Sequence, residues 1–293
     1  MAESAQNTEL SWPTGRQIAV IFVALMAAAM TTYYERMFQT SLADMQGIWG
    51  LSADEGAILK TCAIAPQMLL APVAPWFVMV FGVRPVLLPA ALAFIVISFG
   101  IPFLTGFVPL IAAHIAMGAL LGCFITATIM IITTTLPGKW WLIPLGIHIF
   151  RFSVTTNTGV SLSGLYIDYF GWEWIYWQST AIMVVYIVVL FMLIPGRQIM
   201  ADMLKKADVL GMILLPIGMT MLFVAFYQGE RLQWFHSSFV SAFQWGGAAI
   251  LVLFVLPELK SPYPFATLRS LVGPGVVLIL MPICLFSLAF FGI

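Results

Sequence analysis

Charge is what this chain has least of. Only 8% of its 293 residues are Asp, Glu, Lys or Arg, against about 25% in soluble domains, and that excludes a soluble globular fold. Cysteine is scarce as well. Cys62, Cys123 and Cys284 each fall inside an apolar run, which excludes a disulfide framework and leaves no metal-ligand spacing; they read as small packing residues. The histidines stand far apart at 114, 148 and 236, with no HExxH and no Asp-rich cluster, so the clustered groups of a membrane enzyme are missing. No cofactor, no metal and no nucleic-acid partner is expected. Long hydrophilic stretches are absent too: the longest, 196–207, has the length of a linker rather than a domain. Residues 1–16 are polar and lack the apolar core of a cleaved signal peptide.

What fills the chain is apolar sequence. A bilayer core is about 30 Å thick, so a helical span needs roughly 20 predominantly apolar residues. Runs of that kind cover about 17–40, 54–80, 84–104, 107–135, 140–167, 172–195, 208–228, 238–256 and 271–293. The gaps between them alternate in charge. One side holds Arg16, Arg84, Lys139, Arg197, Lys205, Lys206, Lys260 and Arg269; the other holds Asp44, Asp54, Glu55, Asp168, Glu173 and Glu230, with Arg231 its one loop cation. Short loops rich in Lys and Arg stay cytoplasmic, so the sequence predicts a multi-pass protein of the cell (inner) membrane with a cytoplasmic N-terminus. Trp140 and Trp141 at the inner surface, and Trp172, Trp174 and Trp177 at the outer one, suit the interfacial preference of Trp.

The fold class that follows is all-α, a polytopic membrane helical bundle. Residues 1–195 hold six spans joined by short loops. Residues 196–207 form a basic amphipathic connector on the cytoplasmic surface. Residues 208–256 hold two linker spans, and 257–293 begin a second bundle. The ninth run has no hydrophilic tail, which predicts a chain that is the front part of a longer protein. Pro66, Pro72 and Pro75 should bend span two. Gly118 and Gly122 in span four, and Gly159 with Ser163 in span five, have the spacing that lets helix backbones approach closely.

Ionisable groups at membrane depth are expensive, about 2.5–3.5 kcal/mol each on insertion scales, and mark candidate functional positions. Arg151 is the foremost. It lies about 18 Å along a helix from Lys139. His148 shares its face, and Thr155 and Thr158 continue a polar stripe. Glu35 and Arg36 end span one; being adjacent, they point about 100° apart. Lys60 lies early in span two, within snorkelling reach of the outer surface. Which of Lys60 or Arg151 pairs with Glu35 stays open. His114 in span four is either a hydrogen-bonded core histidine or a group that titrates near neutral pH.

At this point the residues resemble a known family. The stretch SLADMQGIWGLSADEG (41–56) is similar to the end of span one and the outer loop of the fourteen-span drug:proton antiporters, the EmrB-type branch of the major facilitator superfamily. NTGVSLSGLYIDYFGWEWIYWQS (157–179) resembles that branch's fifth-span antiporter motif. ADVLGMILLPIGMTMLFVAFYQGERLQWFHSS (207–238) resembles its first linker span, which typically starts with Asp then Gly, as Asp208 and Gly211 do. PELKSPYPFATLRS (257–270) resembles its cytoplasmic approach to the second bundle. The resemblance implies an N-terminal six-helix bundle, two linker spans and one further span, with the substrate cavity between two bundles.

The chain also departs from that pattern. After span two, VMVFGVRP keeps Gly82 and Arg84, but Met79 stands where the family has an acid and Pro75 where it has the leading Gly. His114 replaces the family's span-four Arg, which is linked to proton coupling. Gly159-Val160 replaces a Gly-Pro turn, whereas Ser163-Gly164 keeps the small pair. Tyr34 aligns with the usual span-one Asp, next to Glu35, and Arg151 is an addition to the pattern.

The expected function is proton-coupled secondary transport that exports amphipathic or drug-like small molecules. Arg151, His148, His114, Glu35, Arg36 and Lys60 are its candidate substrate and proton pathway. Gly82, Arg84, Gly159, Ser163 and Gly164 are its conformational motif. Expected partners are the lipid bilayer, the small-molecule substrate and protons, with a periplasmic adaptor protein or a second half-transporter as further candidates. The alternative is a non-transporting membrane binding or assembly subunit, or a half-transporter that requires a partner.

Overall fold

The computed structural model describes residues 14–194, 200–204, 207–261, 263–267 and 281. Most of the ninth run, together with Arg197, Lys205, Lys206, Arg269 and Cys284, lies outside the described residues. Among those described, every regular element is a helix. Helix α1 is Gly15–Trp49. Span two is broken into α2 (Ala53–Ile64), α3 (Gln67–Leu70) and α4 (Ala74–Phe81). Then follow α5 (Val83–Gly100), α6 (Phe107–Thr135), α7 (Leu142–Leu165) and α8 (Trp174–Leu193). A short α9 (Ala201–Leu204) leads to the linker pair α10 (Val209–Gly229) and α11 (Ser238–Glu258).

Among the described residues, six helices are long and apolar enough to cross a membrane, and seven when the broken span two counts as one. Helix α7 is not one of the six, although its 24 residues are long enough. His148, Arg151, Asn157 and the run of Ser and Thr around them dilute its apolar character. The prolines act as expected: α2–α3 and α4 meet at 45°.

Helix α1 corrects one boundary. The sequence places the end of span one near residue 40, but the helix runs to Trp49 and stops at Gly50 in the left-handed conformation. Residues 41–49 contain no proline, and Leu42 and Met45 pack in the core, so nothing ends the helix earlier. Its 35 residues make a rod of about 52 Å, longer than the roughly 30 Å hydrocarbon core.

Side-chain caps fix the starts of α1, α2 and α10. Thr14 with Gln17, and Ser52 with Glu55, form reciprocal capping boxes at α1 and α2. Asp208 accepts from the Gly211 N–H at 3.0 Å to start α10. A side chain at Gly211 would lie 2.8 Å from the same Asp208 carboxylate. The Asp-then-Gly pairing of the family is therefore a cap with its clearance built in.

Helix α1 is the hub. Helices α6, α7 and α8 pack along it, and α5 packs on α8 and α6. The core where they meet is aromatic: Phe38, Phe94, Phe124, Tyr176 and Tyr186 are fully buried. Glycines bring α6 against span two. A Cβ on Gly118 would sit 2.3 Å from the Ala63 carbonyl oxygen, and one on Gly122 would sit 2.3 Å from that of Gln67. Gly159 plays the same part between α7 and α1, 3.1 Å from the Tyr33 carbonyl.

The two ends of the bundle match the charge alternation in the sequence. Arg231 after α10 pairs with Asp54 in the first turn of α2, and Trp49 meets Trp172 edge to face at 5.2 Å. All four were placed on one side. At the other end Gln17 donates to the Thr135 carbonyl at 2.9 Å, and Met200 of the connector donates to the Val80 carbonyl at 3.0 Å.

Gly122→Leu should destabilise the bundle by about 1–3 kcal/mol, because its neighbours are backbone atoms that cannot move aside. Gly164→Ala, whose Cβ meets nothing within 4 Å, should be close to neutral. Thermal melting of the two variants in one detergent checks the difference.

Candidate functional site

Four cations and one carboxylate occupy or flank the membrane-spanning part of the sequence-predicted site, and the structure separates them. Arg151 points into the α1–α7 seam. The 3-10 turn Gly138–Trp140 starts α7 only at Leu142, so Arg151 lies about 14 Å along the helix. Its Nη1 donates to the Ala28 carbonyl at 2.7 Å and to the Thr32 hydroxyl at 2.6 Å. Its Nε donates to His148 Nδ1 at 3.3 Å, and Nη2 lies 3.4 Å from His148 Nε2. A guanidinium has donors only, so it needs lone pairs around it. One carbonyl, one hydroxyl and one imidazole supply them here. The predicted sharing of a face by His148 and Arg151 is thus a direct contact. Thr155 returns its hydroxyl to the Arg151 carbonyl at 2.8 Å, while Thr158 is exposed and bonds Val154 O at 2.8 Å.

Glu35 pairs with neither Lys60 nor Arg151. Among the described residues, the ion pair present is Arg231–Asp54. The Glu35 carboxylate accepts one hydrogen bond, from Gln39 Nε2 at 3.1 Å. Gln67 of α3 faces the same carboxylate, but its Nε2 is buried without a hydrogen-bond partner. Arg36 turns the other way, as adjacency requires, and its guanidinium carbon lies 5.6 Å from the Phe152 ring centre on α7. Lys60 leans over Tyr227 of α10, with Nζ 5.7 Å from the ring centre.

His114 sits deep in the core with 1% of its surface exposed. One ring nitrogen is 2.8 Å from the Leu110 carbonyl and the other 3.0 Å from the Tyr176 hydroxyl. Phe38 and Trp49 flank the ring. Both nitrogens are satisfied within the protein.

The conformational motif is split as well. Gly82 joins α4 to α5 at φ 93°, a left-handed setting that disfavours any residue with a Cβ. Arg84, beside it, stacks on Phe191 of α8 at 3.7 Å. With Met79 in place of the family acid, an aromatic face serves as its partner. Ser163 is buried and bonds the Val160 carbonyl at 2.8 Å, whereas Gly164 is exposed.

The sequence reading missed Gln39, Gln67 and Thr32. A signal for two of them existed: Thr32, Glu35 and Gln39 recur at helical spacing on α1. Gln67 lies beyond the Pro66 break and has no such pattern.

A helical membrane bundle with a cap-defined linker hairpin agrees with what comparison with known proteins finds. The profile of the Major Facilitator Superfamily matches residues 20–293. The chain belongs to that superfamily. Membership agrees with the multi-pass membrane architecture of the described residues. It is also similar to the Multidrug export protein EmrB of Escherichia coli strain K12, at 21% identity over 279 residues, which is 95% of this chain and 54% of the relative. The EmrB of Escherichia coli O157:H7 matches to the same extent. The chain spans about half the length of the curated relatives it matches, and what it resembles is an EmrB-type N-terminal part.

Arg151→Met should loosen the α1–α7 seam, because Thr32, Ala28 and His148 lose a shared donor. The expected destabilisation is about 1–3 kcal/mol. Denaturant unfolding in micelles, with tryptophan fluorescence as the signal, measures it.

Proposed function

We propose that this chain forms part of a proton-coupled exporter of amphipathic or drug-like small molecules in the cell inner membrane, with its N-terminus in the cytoplasm. Glu35 carries the reading. It is a carboxylate on a membrane helix, next to amides from Gln39 and Gln67, and among the described residues it has no cation paired to it. Such a group can take up and release a proton while breaking no ion pair. The family and the EmrB likeness supply the direction, export, and the substrate class. The excess of cations in the gaps on the Gly15 side supplies the orientation.

Roles follow from the geometry. Glu35 is the proton-carrying group, and Gln39 and Gln67 position it. Arg151 with His148 couples α7 to α1, the two helices whose relative movement changes access in a rocking bundle. His114 holds α6 to α8 through Tyr176.

A second reading rests on a different observation. Helix α7 turns Phe150, Ser153, Asn157 and Ser161 outward on one face, and the Asn157, Ser161 and Thr158 side chains return hydrogen bonds to their own helix. A half-polar face of this kind suits contact with another helical bundle, in the same protein, in a second half-transporter or in an assembly partner. An exporter that also docks a periplasmic adaptor protein is compatible with it.

In the longest open reading frame that contains this chain, Glu35→Gln should abolish gradient-driven efflux at unchanged membrane abundance, and His114→Gln should retain it. Loss of efflux in H114Q at full abundance, together with activity in E35Q, would reverse the assignment.

A further inference from the structure

The linker hairpin does not lie flat on span two. Helix α10 packs on α3 near the middle of span two and stands further from α2, where Gln228 bridges to Ala57 and Thr61, and Phe239 and Phe243 of α11 close the far wall. The gap is a cleft of about 470 Å³. Ile58, Thr61, Cys62 and Pro66 line one side, and Thr220 and Val224 the other. Its walls are almost wholly apolar, because Thr61 is occupied by Gln228 and Thr220 bonds its own helix at Pro216 O, 2.7 Å away. The rim residues Ile58, Ile115 and Phe239 are exposed, so the cleft opens sideways.

Length and width define what fits. From Ile58 to Pro66 the helix rises about 12 Å, and from Thr220 to Arg231 about 16 Å. One leaflet of a 30 Å hydrocarbon core is about 15 Å deep. The cleft therefore spans one leaflet.

The mouth is charged. Arg231 lies there, bonded through Nη1 to Asp54 and through Nε to Gln228 Oε1 at 2.7 Å. Its second terminal nitrogen meets no acceptor among the described residues, and the side chain stays one-third exposed at 32%. Asp54 is 82% exposed. A cation with free donors at the water boundary, above an apolar slot one leaflet deep, complements a phosphodiester joined to an acyl chain. We propose that this cleft binds one phospholipid of the leaflet at the Trp49 end, with an acyl chain between span two and the linker hairpin and the phosphate on Arg231.

The test uses the purified chain in vesicles containing a phosphatidylethanolamine that carries a diazirine on its acyl chain. After photolysis, peptide mapping should find adducts concentrated on 58–66 and 220–228. Adducts on the exposed α7 face give the background. Val224→Trp fills the slot and should bring cleft adducts down to that background without changing those on α7. Arg231→Gln should lose the phospholipid that native mass spectrometry finds retained on the unaltered protein. Cleft adducts no denser than those on α7, or a retained second copy in place of lipid, would overturn the proposal. If V224W does not fold, judged by gel filtration, the adduct ratio in the unaltered chain decides alone.

Discussion

Within hydrocarbon a polar group can bond only to protein, and this constraint organises the bundle. Many threonines and serines obey it by returning their hydroxyls to the preceding turn, while the buried hydroxyls of Ser41 and Thr156 have no partner among the described residues. Thr31 bonds Ala27 O at 3.0 Å, Thr126 bonds Gly122 O at 3.0 Å, and Thr180 bonds Tyr176 O at 3.1 Å. A few reach further and tie helices together. Thr128 donates 2.9 Å to the Ala24 carbonyl of α1, and Ser98 donates 3.0 Å to the Tyr176 carbonyl of α8. The Tyr33 hydroxyl reaches Gln178 at 2.8 Å. Because lipid is as apolar as leucine, such bonds and the glycine contacts of α6 provide the specificity that apolar burial provides in water.

The architecture was legible in the sequence because its determinants are local. Apolar run length gives the spans, charge between runs gives their sides, and Pro66 to Pro75 gives the bend. The glycines of span four announced a close approach, and Gly118 and Gly122 make it. Where the reading failed, the cause was not local. The end of α1 was set too early because Asp44 and Gln46 look like loop residues, whereas the burial of Leu42 and Met45 keeps that segment helical. The partner of Glu35 could not be read at all: charge suggested Lys60 or Arg151, while geometry gave amides.

Four cations in or beside the spans share one physical theme. Met79 stands where an acid would pair with Arg84, and Arg84 takes the face of Phe191 instead. Arg36 takes Phe152, and Lys60 takes Tyr227. Arg151 takes a carbonyl, a hydroxyl and an imidazole. Each cation is held by a neutral partner. Such contacts are weaker than a buried ion pair, and removing one partner leaves no opposite charge stranded, whereas breaking a buried pair costs about 3–5 kcal/mol.

That theme bears on movement. A bundle that changes shape must exchange contacts between α1 and α7 and between α5 and α8. Contacts with carbonyls, hydroxyls and rings can be exchanged turn by turn, since every helix turn offers another of them. Glu35 is the carboxylate among these groups, and like the cations it has no ion-pair partner among the described residues. Protonation there changes the field felt by Arg36, its neighbour in sequence, at the expense of little more than the Gln39 hydrogen bond. On the proposed proton-coupled reading, a single carboxylate among exchangeable cation contacts lets proton uptake bias the α1–α7 seam without a charge-relay latch at the Gly82–Arg84 turn.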